Sequence, residues 1–584
     1  MTAAALYTRI ARRTFSRMMA IWTDYSRRAF EADSKQFACA NERTLRRILR
    51  RHRNTEFGRA HGFSAALAAG SPAEAFRRRV PLSQYSDYEQ ALHRMAMGER
   101  NVLVSDPVIF FAPSSGTTGK SKLIPVTERS MRNTVRTLVL TRSVFGQLRP
   151  GGASAARGIS LVRMSDNLST TAAGIPTGDA SAAGMRRAAA IIPYLYTTPL
   201  AAMQIEDKPS ALFIHLLFGL PERDLNHVSA TFAHNVVYLF RTLEQRWPEL
   251  LDSIATGRLP DDLVLKPDER RNIERLLEPN PDLARALQPE LEKGFENIAR
   301  RLWPNFSFVA AATTGSFAAY METLRGYVGS VPVCNLLYGA TEACIGINVD
   351  LDTPEQYALL PRSCAFEFIP LENTDDAEPR TVGVEELEQG RQYEVVITSD
   401  AGFYRYRMDD VVRVAGFRNG SPRVEFQFRR GTILNVAAEK TTEKQVADVI
   451  RSLESRWLRG RGRVLDYTVA AETGVSPPHY RFFIELDTDS GLWDSAWNQE
   501  AAQFLDQELA AANVDFKLMR NARVIGQPVV NFLQLGCFGR LLAEMPNSNA
   551  AKIPRVVAKP EHVEFLVGQS IVGELILKSG SIGQ

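Results

Sequence analysis

The stretch Val108–Thr127, VIFFAPSSGTTGKSKLIPVT, constrains this chain more than any other. Its apolar start, Val108 to Phe111, reads as a buried strand. It feeds directly into a loop of small hydroxyl residues and glycines, Ser114 to Lys122. Glycine tolerates positive φ and carries no side chain, so backbone N–H groups can turn inward on an anion. Ser and Thr hydroxyls add donors, and Lys120 and Lys122 add positive charge. Such a loop is chemically suited to a polyphosphate.

Two phosphate loops share this appearance. A Walker A loop, G-x-x-x-x-G-K-[ST], opens straight into a helix. Gly119, Lys120 and Ser121 fit it, but its first glycine would fall at Ser114. Pro125 pushes Ile124 towards extended geometry, which argues against a helix directly after the lysine. The stretch resembles instead the S-S/T-G-T-T-G-x-x-K loop of adenylate-forming enzymes at every core position. A plain Gly/Ser surface turn would not require this residue order after a strand.

Composition bounds the rest. A chain of 584 residues is too long for one simple core, so two or more domains are expected. Its 45% hydrophobic and 23% charged residues are an ordinary globular balance. With 70 basic and 66 acidic residues, the net charge of +4 is too even for a dedicated nucleic-acid binder. The cysteines (Cys39, Cys334, Cys344, Cys364, Cys537) are scattered, without C-x-x-C or zinc spacing, so a reducing, cytoplasmic setting is expected. The eight histidines form no H-x-H or H-E-x-x-H cluster, which leaves a His-based metal site without support. No run approaches the roughly 20 apolar residues that span a bilayer.

Taken in order, residues 1 to 60 read as basic helices. No acid precedes Asp24, whereas Arg9, Arg12, Arg13 and Arg17 do. This is either a transit peptide or an amphipathic helix packed on the body by Leu6, Ile10, Phe15, Met18 and Ile21, and we favour the helix. In the run Arg43 to Arg53, Leu45, Ile48 and Leu49 supply apolar helical spacing, so a solvated basic face is expected rather than a nucleic-acid site. Thr127 can cap a helix reaching about Leu140. Residues 146–190 are rich in Gly, Ala and Ser, a flexible loop or a substrate-facing one. Residues 210–257 read as two strongly apolar helices, buried or lining an apolar pocket.

Further on, the pattern gives a strand to Ala312, a turn at Thr313–Ser316, a helix to about Tyr327, a strand from Val331 to Tyr338 and a loop, Gly339–Glu342. This is βαβ material, hence a parallel sheet with helices on its faces. Ligands sit at the carboxyl ends of such strands. Tyr338, Thr341 and Glu342 then lie beside the phosphate loop if the two strands are neighbours. Glu372–Gln389 is acidic and loop-like. YEVVIT, a turn at Asp400–Gly402 and FYRYR form a hairpin leading to Asp409, Asp410 and the strand VVRVAGF. Beyond about residue 430, strand and helix alternate again in a small α/β domain.

Three stretches stand together: SSGTTGKSK (114–122), YGATE (338–342) and YRMDD (406–410). Activating a carboxylic acid with ATP needs such a set. A donor-rich loop must hold the β- and γ-phosphates, and a Thr hydroxyl the α-phosphate. One carboxylate must hold Mg²⁺. An aromatic ring can stack on adenine, and a second carboxylate can accept both ribose hydroxyls. Thr118, Thr341, Glu342, Tyr338 and Asp410 are of the right types.

The sequence resembles the adenylate-forming superfamily of acyl-CoA ligases, luciferases and peptide-synthetase adenylation domains. More closely, it resembles the acyl acid amido synthetases of the auxin-responsive Gretchen Hagen family, from about residue 40 to about residue 560. Further landmarks are GIPTGDAS, TFAHNVVYLFRTLEQRW, TGSFAAYMETLRGY, YALLPRSCAFEFIPL, EKTTEKQV, HYRFFIEL and AAKIPR. The resemblance implies an α/β fold. A large N-terminal adenylate-forming domain, residues 1–428, has β-sheets packed by helices and carries the ATP and acyl-acid sites. A smaller mobile α/β C-terminal domain, residues 429–584, completes the chain.

The implied activity is that of a ligase with two half reactions. ATP and a carboxylate give an acyl-adenylate and pyrophosphate, and an amino acid's amine then gives an amide and AMP. The alternative is an acyl-CoA ligase, or an acyl-adenylate donor to another acceptor. ATP and magnesium are the implied cofactors. The implied partners are a small carboxylic acid and an amino acid or other amine, without nucleic acid or membrane. By resemblance, Ser114, Ser115, Gly116, Thr117 and Thr118 would contact phosphates, Tyr338 and Thr341 AMP, Glu342 the metal, and Asp410 the ribose, with Arg429 nearby. Lys440, in EKTTE, and Lys552, in AAKIPR, would each offset α-phosphate charge in one of two domain orientations, worth roughly 3 kcal/mol for one good donor. The apolar helices at 210–245 and the loop at 174–184 would frame a pocket for an aromatic or otherwise apolar acid. Two positions depart from the family pattern. Asp409 stands where glycine is usual and is expected to weaken the phosphate site or reshape the turn. Ala551 stands where tyrosine is usual.

Overall fold

The computed structural model describes residues 3–114, 122–148, 157–164, 168–312, 320–374, 376–430, 433–434, 436, 439, 441–487, 495–544, 552–557 and 559–571. The described residues form two compact units, one ending at Gln427 and the other beginning at Phe428. In the larger unit the strands are β1 (Val108–Ser114), β2 (Lys122–Thr127), β3 (Gly158–Ser160), β4 (Ser169–Thr170), β5 (Pro176–Thr177), β6 (His227–Phe232), β7 (Phe308–Ala312), β8 (Val333–Cys334), β9 (Leu337–Gly339), β10 (Cys344–Asn348), β11 (Gln356–Leu359), β12 (Cys364–Pro370), β13 (Gln392–Ser399), β14 (Tyr406–Arg418) and β15 (Ser421–Arg429).

Three sheets result. The first has the order β2-β1-β5-β4, and the second, β3-β6-β7-β8, is parallel throughout. The third has seven strands in the order β12-β13-β14-β15-β11-β10-β9. The apolar helices Lys208–Gly219 and Ala233–Thr256 are buried against the parallel sheet, with Phe213, Leu216, Val236 and Phe240 meeting Val228 and Val309 in one core. The longer helix kinks two residues before Pro248, where Arg246 leaves helical geometry (φ −123°, ψ 17°). A second core joins the helix Phe37–His52 to the inner face of the seven-stranded sheet through Leu45, Ile48, Leu49, Phe366 and Phe368.

Several local readings are met. Thr127 caps the helix Glu128–Leu148: its Oγ1 accepts from Ser130 N–H (3.2 Å), and Ser130 Oγ accepts from Thr127 N–H (2.8 Å). β13 and β14 pair antiparallel across the turn at 400–405. The turn expected at Thr313–Ser316 lies outside the described residues.

Other readings are corrected. The strand expected from Val331 to Tyr338 is two strands in different sheets. β8 ends the parallel sheet, while β9 pairs antiparallel with β10. The break falls at Asn335, whose Oδ1 accepts from Leu337 N–H (3.4 Å) and turns the chain. A strand, β6, precedes the second apolar helix, where helix alone was expected. The stretch at 146–190 holds short strands and the helix Ala180–Arg187. Met18 and Ile21 are 59% and 74% exposed rather than packed, although Phe15 stacks on Tyr194 at 4.8 Å. The basic run is a solvated face, with Arg43, Arg50, Arg51 and Arg53 exposed, and several of its arginines are also paired. Arg43 pairs with Asp33 (3.2 Å), Arg46 with Glu42 (2.7 Å), Arg47 with Asp400 (2.9 Å) and Arg51 with Asp106.

In the smaller unit, β16 (Ile433–Leu434) and β17 (Thr441–Thr442) make a two-stranded ribbon. β18 (Val464–Glu472), β19 (His479–Leu486) and β20 (Val529–Leu533) make a mixed sheet, antiparallel then parallel. The helices Glu443–Ser452 and Ser495–Ala512 cover it through Val446, Ile450, Leu505 and Leu509. Among the described residues no helix is long and apolar enough to cross a membrane.

Candidate active site

β1 and β2 pair antiparallel, with Ser114 opposite Lys122, so the phosphate-loop sequence closes a hairpin. A strand follows the lysine, with Pro125 paired to Phe111, and this is incompatible with a Walker A loop. Ser114 ends β1; Ser115, Gly116, Thr117 and Thr118 lie outside the described residues. Lys122, at the far side of the hairpin, donates from Nζ to Tyr406 Oη at 3.3 Å. The same ammonium sits 5.4 Å from the Tyr85 ring centre and 6.0 Å from that of Tyr406, within cation–π range. Tyr85 Oη accepts from Leu123 N–H at 2.7 Å, pinning the hairpin base to the turn Tyr85–Asp87. Burial raises the Tyr85 phenol above its ordinary range, the Leu123 N–H opposes this, and the Glu89 and then the Glu342 carboxylates add to the rise. The Glu342 carboxylate thus acts on Tyr85, the ring that holds the hairpin base, as the smallest of these influences.

Tyr338 and Asp410 stand on β9 and β14, four steps apart in the seven-stranded sheet. Four steps of about 4.8 Å would separate them by about 19 Å in a flat sheet. Yet Tyr338 Oη donates to Asp410 Oδ2 at 2.8 Å. The sheet therefore curls into an open barrel, with Tyr357 (5.7 Å) and Phe426 (6.2 Å) packed against the Tyr338 ring inside it. Asp410 is only 2% exposed.

The bulge that presents Asp410 is visible in the register. Between the pairs Glu394–Val411 and Val396–Arg407, β14 carries two more residues than β13. Asp409 lies in that excess at φ +59°. This is left-handed backbone, which glycine adopts freely and which Asp tolerates better than most residues. Asp409 is half-buried there. Two buried ion pairs brace the turn. Arg407 bonds Glu394 through Nε (2.9 Å) and Nη2 (2.6 Å), and Arg405 bonds Glu367 (3.0 Å) and the carbonyl of Val80 (2.8 Å).

Thr341 and Glu342 are half-buried in the β9–β10 turn. Arg429 is half-buried at the end of β15, which runs across the boundary between the units, and Lys552 in the smaller unit is half-buried. Lys440 and Ala551 lie outside the described residues.

The sequence reading missed a buried polar cluster where β3 ends. Ser160, its last residue, pairs with Ser229 of β6. Tyr196 reaches both hydroxyls, and burial raises its phenol, opposed by Arg142 of the helix Glu128–Leu148. Burial lowers the Arg142 guanidinium below its ordinary range, with Tyr196 acting against it. His227 is pushed down to about 3, by burial and then by Arg142. Ser160 lies at the carboxyl end of β3, the end of a parallel strand where α/β sheets hold ligands, whereas His227 opens β6 at the other end.

Residues 26–333 match the GH3 family N-terminal domain, residues 357–429 the GH3 family central domain and residues 444–561 the GH3 family C-terminal domain. The chain belongs to the GH3 family. It is 31% identical over 552 residues to the jasmonoyl–L-amino acid synthetase JAR4 of Nicotiana attenuata, across 90% of this chain and 92% of that one. It is 28% identical over 581 residues to the indole-3-acetic acid-amido synthetase GH3.10 of Arabidopsis thaliana, across 93% and 96%. The solved GH3.15 acyl acid amido synthetase matches with a TM-score of 0.81 and 26% identity, across 93% of this chain and 95% of that one. A 2-hydroxyisobutyryl-CoA ligase in its postadenylation state shares the fold alone, with a TM-score of 0.50 and 11% identity across 93% of this chain and 91% of that one. This GH3 chain thus has the α/β adenylate-forming fold and is an acid–amino acid ligase: it adenylates an acyl acid and transfers the acyl group to an amine.

Glu342 is of the donor type that a nucleotide's cation would require. Among the described residues no group of three or more His, Cys, Asp or Glu side chains could cage a metal by itself. A magnesium ion takes few protein carboxylates and completes its shell with phosphate oxygens and water. A single half-buried carboxylate such as Glu342 has that donor chemistry.

Proposed function

We propose that this GH3 chain uses ATP and Mg²⁺ to activate an apolar carboxylic acid, of the kind its relatives' names exemplify with jasmonate and indole-3-acetate. A carboxylate oxygen attacks the α-phosphorus as the bond to the β-phosphate breaks, and pyrophosphate leaves. The amino acid's nitrogen then attacks the acyl carbon, loses a proton and displaces AMP. Ser114, Ser115, Gly116, Thr117 and Thr118 wrap the phosphates, and Thr341 bonds the α-phosphate. Glu342 holds the cation, which supplies charge that offsets the phosphates and orients the leaving group. Asp410 accepts the ribose hydroxyls, with Arg429 nearby, and Tyr338 flanks the adenosine while fixing the carboxylate that binds its sugar. Lys440 and Lys552 supply positive charge as the α-phosphate changes partners. Arg142, with Ser160, Ser229 and Tyr196, orients the acyl acid. The five cysteines form no disulfide with one another, which favours a reducing cytoplasm.

The Tyr338–Asp410 contact at 2.8 Å, drawn together across four strands, carries this reading most directly. Incubation with ATP, Mg²⁺, a panel of carboxylic acids and either mixed amino acids or coenzyme A tests it by product mass spectrometry. N-acyl amino acid and AMP are the expected products. Thioester formation with no amide would overturn the choice of acceptor.

A further inference from the structure

The segment that carries Lys552 is stitched to the outer edge of β18. Val469 N–H donates to Arg555 O (3.0 Å) and Val557 N–H to Val469 O (2.9 Å), so residues 555–557 pair with that strand in parallel. Thr468 Oγ1 donates to Pro554 O at 2.5 Å. Arg555, only 4% exposed, reaches under the sheet. Its Nη1 bonds both Asp466 Oδ1 and the Tyr467 carbonyl, and its guanidinium lies 4.0 Å from the Tyr467 ring centre. Ile553, beside the lysine, is buried with Phe483, Leu533 and Phe538. The chain next to Lys552 is therefore held by one arginine, one hydroxyl and one apolar side chain.

An arginine is an expensive group to bury, and a well-packed apolar residue would serve stability at least as well. What Arg555 adds is direction: a planar fork fixed on a carboxylate, a carbonyl and a ring at once allows one backbone placement. A cation that stabilises developing charge is effective only when held in place beforehand. We propose that Arg555, with Thr468, is a positioning residue for Lys552. It sets where that ammonium stands when the α-phosphate changes partners, which rests on the reading of Lys552 given above.

The two half reactions can be measured separately in the full-length protein. Acid-dependent exchange of labelled pyrophosphate into ATP reports adenylation. Consumption of a pre-made acyl-adenylate by an amino acid reports amide formation. Lys552→Ala slows one of the two by about a hundredfold. Thr468→Val and Arg555→Met slow that same half reaction about tenfold or more through kcat, with the KM for ATP and the other half reaction within twofold. Arg555→Lys, which keeps the pairing with Asp466, recovers part of the loss. Thr468→Val removes one hydroxyl at constant shape, so it reports even if Arg555→Met folds poorly. Equal loss in both half reactions, or a lowered Tm with unchanged selectivity, would make the cluster a structural anchor and overturn the proposal. A Lys552→Ala enzyme unaffected in either half reaction would overturn the role of the lysine as well.

Discussion

Asp409 holds φ +59° in the bulge of β14, where a side chain costs about 1 kcal/mol relative to glycine. Asp409→Gly should therefore leave stability unchanged or raise it by up to about 1 kcal/mol, with ATP turnover retained. Asp409→Val, β-branched, should lose more than that, and urea denaturation of the pair measures both. Tyr338→Phe removes a hydrogen bond to a buried carboxylate, worth about 1.5–3 kcal/mol. The KM for ATP should rise tenfold or more; an unchanged value would detach Tyr338 from the nucleotide. Tyr338 and Asp410 are legible in the sequence because each sits in a short motif whose order carries information. Arg142 is not: one arginine in a helix has no local signature, and its companions Ser160, Tyr196 and Ser229 come from distant segments.

The β13–β14 hairpin depends on polar struts as much as on its apolar faces. Arg405 and Glu367 are both nearly buried, at 8% and 11% side-chain exposure, and bond each other at 3.0 Å. Removing Arg405 takes away the most buried cation on Glu367 and leaves it Arg77 at 3.3 Å and the Thr381 hydroxyl at 2.7 Å, at a cost of up to about 3–5 kcal/mol. Arg405→Met should lose this in denaturant, whereas the double variant Arg405→Met with Glu367→Leu should recover much of it. Elements with strong periodicity or a capping residue, such as the helix from Glu128 and the hairpin arms, are readable from sequence. The error at Tyr338 has a physical source. Val331–Tyr338 is apolar enough for one strand, and only the Asn335 side chain, turned back on Leu337 N–H, shows that the chain changes sheets there. β6 was hidden because its six residues run straight into a helix of similar apolarity.

The two units carry opposite acid responses. In the larger unit, burial lowers His52 and His215 to about 4 and His227 to about 3, from an ordinary 6.5. These groups stay neutral when folded and take protons when unfolded. Stability is therefore lost as pH falls below 6.5 towards 4, with a slope approaching about 4 kcal/mol per pH unit. In the smaller unit, the Glu472 carboxylate, 3.0 Å away but off the hydrogen-bonding direction, raises His479, while His479 and then Arg481 hold Glu472 down to about 2. A raised histidine stabilises the fold below its unfolded value of 6.5, and that contribution fades as pH rises through the folded value. Hydrogen exchange read segment by segment at pH 5 and pH 8 should show weaker protection at pH 5 for the larger unit and stronger protection around β18 and β19. The pairing of a phosphate hairpin with a curled sheet that closes Tyr338 on Asp410 is organised for one event, the transfer of AMP to a carboxylate. Labelled pyrophosphate exchange into ATP, run with single carboxylic acids and no amine, tests it most directly. Exchange should appear only with a suitable acid and vanish in Glu342→Gln. Exchange independent of any acid, or undiminished in Glu342→Gln, would contradict it.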